Sequence, residues 1–218
     1  MKITTKITSL ALAGALLLSM SGCSLLGGSK IGPKKLLSYA EDDGAEVAEN
    51  AKKFNKYDKE DMEDGVVVHL EGKDVKTVLG EDDVCVLPVL DDFYNKHMTE
   101  ATVYTKIKID GDEAKSTAVY AFSIVFEDED SAEDYFDEVH DGIQPNPGVD
   151  ANNDDGTDEN IDYSVMNIID GANNAAVGVY RDGNTVLFLI GYGRNNKKII
   201  KTIDGLCEDF GVHLVSDT

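Results

Sequence analysis

The sequence predicts an α+β domain, an antiparallel sheet with helices packed mainly on one face. Three observations carry that prediction. Apolar runs that alternate with period two recur through the second half of the chain, as half-buried strands require. Asp-Gly pairs at 110–111, 170–171 and 182–183 punctuate those runs, and Asp-Gly between apolar runs is a strong hairpin signal. Two amphipathic helical stretches follow groups of strands, in the order strand–strand–helix, long loop, strand–strand–strand–helix.

The elements follow in order. Pro33 opens a helix, because its missing N–H would be unpaired in a first turn anyway. Leu36, Leu37 and Ala40 mark the apolar side of that helix, and Gly44 suits its end. Val47, Ala51 and Phe54 fall at helical spacing and suggest a second helix, followed by a charged turn over Lys59 to Asp64. Val66-Val67-Val68-His69-Leu70 is a short buried strand. Residues 71–100 are ambiguous: Val84 to Leu90 fits a strand that Pro88 confines to an edge, and Asp91 to Met98 fits one or two helical turns.

The second half is clearer. Val103 to Ile109 alternates into the Asp110-Gly111 turn. Thr117 to Phe126 is a long strand with Tyr120, Phe122, Ile124 and Phe126 on one side and Val119, Ala121, Ser123 and Val125 on the other. A helix follows, with Asp130 as N-cap, Glu133 as the return arm of a capping box, an inner stripe of Ala132, Tyr135, Phe136 and Val139, and Gly142 at its end. Residues 141–160 read as a polar loop. Ile161 to Ile169, Ala175 to Tyr180 and Val186 to Ile190 are three strands. Ile199, Ile200, Ile203, Leu206, Cys207 and Phe210 then recur at helical spacing, and Gly211 closes the last helix. Ile109-Asp110-Gly111 and Ile169-Asp170-Gly171 hint at a weak repeat, which shared hairpin chemistry explains equally well.

The N-terminus carries an address. Lys2 and Lys6 precede an unbroken run of nine residues, Leu10 to Leu18, all Leu, Ala or Gly. The run is far short of the roughly 20 apolar residues that span a bilayer, and Ser21 and Gly22 are the small residues a signal peptidase needs. Cys23 follows directly. The segment resembles the lipobox of bacterial lipoproteins, with Met20 where that family usually has Leu. The resemblance implies that the Cys23 thiol is diacylglycerated and becomes the new N-terminus, tying the protein to the extracytoplasmic face of the cell membrane. It covers only the first two dozen residues and implies no fold. The division of the chain is therefore a signal over 1–22, the lipidated Cys and a flexible Gly- and Ser-rich tether over 23–33, and a single α+β domain over 34–218. Within that domain 34–100 is a helical or mixed part and 101–218 the sheet-and-helix core.

Composition narrows the function. The chain has a net charge of −22, and removing the signal takes away two lysines, leaving −24. Phosphates would be repelled, which argues against nucleic-acid binding and against docking on anionic lipid. Basic peptides, cationic ligands and divalent metals remain as partners, alongside the plainer reading that acidity keeps an envelope protein soluble. Arg181 and Arg194 are the only arginines, too few for a guanidinium phosphate clamp, and Trp is absent. After lipidation Cys85 and Cys207 remain, either as a disulfide or as two separate buried thiols.

The most suggestive segment for chemistry is Asp150-Ala151-Asn152-Asn153-Asp154-Asp155-Gly156-Thr157-Asp158-Glu159-Asn160-Ile161-Asp162. Calcium wants several hard oxygens from one short stretch, and this one resembles an EF-hand or dockerin-type loop. Asp150, Asn152, Asp154, Asp155, Asp158 and Asp162 are the candidate calcium ligands. The resemblance is imperfect: with Asp150 first, Asp155 falls where Gly should turn the loop; with Gly156 there, Ala151 falls at the first ligand place. Gly191-Tyr192-Gly193-Arg194-Asn195-Asn196 stands between a strand and a helix, the context of a phosphate-binding turn, but also of a strand exit with an Asn helix cap. His69, His97, His140 and His213 show no paired metal spacing, and Tyr120, Tyr163, Tyr180 and Tyr192 either line a groove or cap the sheet core.

The acidic helix after Phe126 and the closing hairpin and helix give the chain, with its lipobox, a build similar to small envelope lipoproteins of Gram-positive anaerobes. The expected role is a non-catalytic binding or accessory module for an envelope protein or peptide partner. A calcium-dependent adhesion or structural module and an extracellular hydrolase are the alternatives.

Overall fold

The computed structural model describes residues 29–58, 60–75, 97–111, 116–143, 149–170 and 174–218. The strand reading of Val84 to Leu90 and all but the end of the helical reading of Asp91 to Met98 lie outside them, as do Cys23 and Cys85. Along the chain run α1 (Pro33–Asp42), β1 (Glu46–Ala48), α2 (Ala51–Phe54), β2 (Val66–Glu71), β3 (Met98–Lys108) and β4 (Thr117–Phe126). Then come α3 (Glu129–Gly142), β5 (Asp150–Asp158), β6 (Ile161–Ile169), β7 (Asn174–Asp182), β8 (Thr185–Gly193) and α4 (Asn196–Phe210).

The eight strands form one mostly antiparallel sheet in the order β1-β2-β3-β4-β8-β7-β6-β5, with β1 alone pairing in parallel, against β2. The fold is α+β. Its centre is the β4–β8 pair, where both strands alternate apolar residues to both sides. Phe122, Ile124 and Phe126 with Val186, Phe188 and Ile190 enter one core, together with Ala132, Tyr135 and Val139 of α3 and Phe54 of α2. Val119 and Ala121 with Leu187 and Leu189 enter the other, together with Leu36 and Ala40 of α1 and Ile199, Ile203 and Phe210 of α4. Helices therefore cover both faces, not mainly one. The physical reason is visible in the strands: each presents two apolar faces, and each face has to be removed from water.

Local chemistry sets the boundaries. β4, β6 and α1 form where their patterns place them. Val47, expected on a helix, lies in β1 and is exposed, and α2 begins only at Ala51, where the Asn50 side chain accepts from the Lys53 N–H. Asp128, not Asp130, caps α3: its backbone is extended and its carboxylate accepts from the Ser131 N–H at 2.8 Å. The β7–β8 hairpin turns on Gly183 (φ 59°) and Asn184, and positive φ at the first central position alone is the mark of a type II′ turn. Asp110-Gly111 follows β3, one strand before α3, whereas Asp170 follows β6, two strands before α4. The two lie at different steps before their helices, so the sheet bears out no repeat.

Two segments differ from expectation. Residues 150–158, read as loop, are β5, a full antiparallel partner of β6. The flexible tether does not extend through residues 29–33. Ser29 and the Lys30 N–H both donate to the Asp182 carboxylate, Lys30 pairs with Glu159, Ile31 is buried, Ser123 donates to the Ile31 carbonyl, and Thr102 donates to the Pro33 carbonyl. The stem thus crosses one face of the sheet from β7 to β3 before α1 begins.

Close approach of α4 to β8 depends on Gly191. A Cβ there would stand 2.8 Å from Ile199 Cγ2 and 3.0 Å from Ile203 Cγ1. Gly191→Ala is expected to lower stability by about 1–3 kcal/mol through overpacking. Gly205→Ala, inside α4 with nothing within 4 Å of the added carbon, is expected to raise it by about 0.5–1 kcal/mol. Chemical denaturation of the two variants checks the opposite signs.

Candidate functional site

The acidic segment is a border strand, and this decides what its residues can do. Successive strand side chains point to opposite faces. Asp154 lies on the α4 side, where its carboxylate accepts from the Tyr163 hydroxyl (3.2 Å) and faces His213 Nε2 (3.2 Å). Asp150, Asn152 and Asp158 share that side by alternation. Asp155 points the other way, and so does Asp162 of β6, which accepts from Thr157 Oγ1 and pairs with Arg181. At about 3.3 Å per residue, Asp150 and Asp158 are also about 26 Å apart. Six residues split between two faces over that distance do not surround one ion, so the calcium-loop reading is corrected. The cause is the pairing of β5 with β6, which stretches the segment that an EF-hand-type loop would have to curl.

The other sequence candidates serve the core. Gly191 and Gly193 belong to β8, the first making room for Ile199 and Ile203 and the second for the Ser116 carbonyl, while the Asn195 side chain caps α4 by accepting from the Lys198 N–H. The four tyrosines do not share a groove. Tyr120 and Tyr192 meet edge to face on the α3 side. Tyr163 stacks on His213 at 4.0 Å on the α4 side, and Tyr180 is fully buried there. Cys207 is a free, buried thiol beside Tyr180. The Tyr180 hydroxyl spends its one proton on the His213 carbonyl (2.8 Å), so the Cys207 thiol is the donor in their 3.1 Å contact.

One cluster that sequence reading passed over gathers three donors of two kinds, one imidazole and two carboxylates, suited to metal or acid–base work. His69 and Glu71 lie two apart on β2, hence on one face, and pairing of β2 with β3 sets Glu100 directly opposite Glu71. His69 Nε2 stands 3.7 Å from Glu71 Oε1 and 3.6 Å from Glu100 Oε1. Among the described residues this is the one group of three or more His, Cys, Asp and Glu side chains whose ligand atoms all lie within 4.8 Å of one another. His69 and Glu100 are largely buried; Glu71 is mostly exposed. The cluster lies on the face crossed by the stem, next to Thr102. No protein-family model matches the chain, and no curated protein does either. Glu71, one residue past the predicted strand Val66 to Leu70, continues its alternation from His69 and was a signal available in the sequence; Glu100 was not, because only the register of β2 against β3 brings it in.

Buried phenols and the thiol give the molecule its pH limit. Burial pushes Tyr39 and Tyr192 up to about 12, and it pushes the Cys207 thiol to about 12 as well. Burial, then the hydrogen bond to Asp43, raises Tyr104 further, and burial raises Tyr180 strongly. Each group is neutral when protonated and holds its proton more tightly folded than unfolded. Their contribution to stability is full below the unfolded values, near 9 for the thiol and near 10 for the phenols, and is lost as pH climbs through the folded values. The melting temperature is therefore expected to fall steeply between about pH 10 and pH 12, with phenolate absorbance rising in the same transition. Phenols that ionise before unfolding would contradict it.

Proposed function

We propose that the chain is a lipid-anchored extracytoplasmic protein acting as a non-catalytic binding or accessory module of the cell envelope. The observation that carries this reading is the docking of the stem. Six residue steps separate Cys23 from Ser29, at most about 20 Å of chain, and from Ser29 onward the chain is bonded to Asp182, Ser123 and Thr102. A diacylglyceryl group on Cys23 would hold one end of the sheet close to the bilayer. That end carries Glu71, Glu100, Asp182 and the Glu159-Asn160 turn. It also leaves the opposite sheet end and the border strand β5 turned toward the surroundings.

Charge and anchor divide the work. A mature chain of −24 gains nothing from an anionic membrane surface, whereas two acyl chains anchor stably where one binds only reversibly. Membrane attachment would then rest on Cys23 alone. Exposed Asp150, Asp155 and Asp158 along β5 suit a cationic protein or peptide partner, since complementary charge speeds encounter and excludes anionic competitors.

The test is fractionation of cells that express the Cys23→Ala chain. It is expected in the soluble fraction, with the parent chain in the membrane fraction and moved to the detergent phase by its acyl groups. A Cys23→Ala chain that stays membrane-bound as firmly as the parent would sink the reading.

A further inference from the structure

We propose that His69, Glu71 and Glu100 bind a divalent transition-metal ion of the zinc class. The proposal is independent of the anchor and of any partner at β5.

The first ground is the state of the imidazole. Thr102 Oγ1 lies 2.9 Å from the Pro33 carbonyl and 2.9 Å from His69 Nδ1. A carbonyl can only accept, so the single hydroxyl proton of Thr102 goes to Pro33, and Thr102 must accept from His69. Nδ1 therefore carries a proton. That leaves Nε2, the nitrogen facing the carboxylates, as the free position. A histidine whose far nitrogen is fixed by an outer hydrogen bond is the usual state of a metal-ligating histidine.

The second ground is spacing. Nε2 lies 3.6 and 3.7 Å from the two carboxylate oxygens. These separations are too long for hydrogen bonds from a protonated Nε2, which would close to about 2.7–3.2 Å. They are too short for a water to stand on the line between the atoms. An ion about 2.1 Å from each ligand atom would subtend angles of about 120° at those separations, about 10° wider than the tetrahedral angle.

The third ground is charge. Glu71 and Glu100 face one another directly across β2 and β3, a pairing of like charges that weakens a sheet. A cation between them turns that repulsion into ligation. One imidazole with two carboxylates selects a first-row transition ion over calcium or magnesium, which prefer oxygen alone. Three protein ligands leave a fourth position for water or a partner's donor group, the pattern of open zinc sites.

The experiment uses the full-length chain, purified in detergent, stripped with chelator and titrated with Zn2+ by calorimetry, with Ca2+ as the comparison. The expected result is one equivalent of Zn2+ bound and a rise in melting temperature. Glu71→Gln is expected to weaken binding about tenfold or more, and His69→Gln to abolish it. The Co2+ adduct should lack a thiolate charge-transfer band. Because the Glu71 side chain is mostly exposed and the change removes a like-charge pair, Glu71→Gln should melt at or slightly above the parent in the metal-free state, so lost binding cannot be lost folding. Three results would each overturn the proposal: no saturable Zn2+ binding, binding unchanged in Glu71→Gln, or Ca2+ binding as tight as Zn2+ at the same residues.

Discussion

Everything in this fold depends on a sheet whose central strands are apolar on both sides. Phe122 and Phe188 meet across β4 and β8 with ring centroids 6.0 Å apart. One residue along, Ala121 and Leu189 pair on the opposite face. Neither face can be left to water, because each buries side chains whose exposure would cost about 1.5–3 kcal/mol apiece. Cover on both sides follows. α3 packs its stripe on one face and α4 on the other, and each helix comes directly after the strand that delivers it. The consequence for function is that the broad faces of the sheet are occupied. Among the described residues, what remains for recognition is the two ends of the sheet and its borders.

The two borders are treated differently. β1 is three residues long, too short to template another strand. β5 is nine residues long, but its side chains are Asp, Asn, Gly and Thr with a single Ala. A long border strand is ordinarily a route to edge-to-edge association, and repeated carboxylates are a standard means of blocking it. The same chemistry explains why β5 was illegible in the sequence. Asp, Asn and Gly are depleted in strands, and the β5–β6 turn is Glu159-Asn160 at φ 48° and 70°, a two-residue turn with both central residues left-handed but no glycine to announce it. Pairing with β6 overrode a composition that, read locally, favours loop.

Other elements were legible to the extent that local chemistry decided them. β4 and β6 occupy the residues their alternation marks, and α4 ends at Gly211 in the left-handed conformation a helix C-terminus favours. The cap of α3 was misplaced by two residues because Asp128 and Asp130 are equally able to cap. Which one does is settled by where β4 releases the chain, at Phe126. Which helix takes which face was not readable, since a helix pattern shows that one side is buried and not against which face. The candidate site divides along the same line. His69 and Glu71 share a face by alternation within one strand, whereas Glu100 joins them only through the register of β2 against β3.

Thr102 is where the stem and the histidine cluster become one construction. Its side chain is buried between the Pro33 carbonyl and His69 Nδ1, and a hydroxyl is the only small side chain that can donate to one and accept from the other. Serine would keep the chemistry but lose the methyl group; valine would keep the shape and leave the part-buried His69 N–H without its acceptor, costing about 1–3 kcal/mol. The orientation of the imidazole is thus fixed by the same atom that fastens the segment leading into α1. Stem, sheet and cluster share a face for a physical reason. The Pro33 carbonyl takes the Thr102 proton, the hydroxyl has a lone pair left over, and that lone pair holds the imidazole with Nε2 toward Glu71 and Glu100.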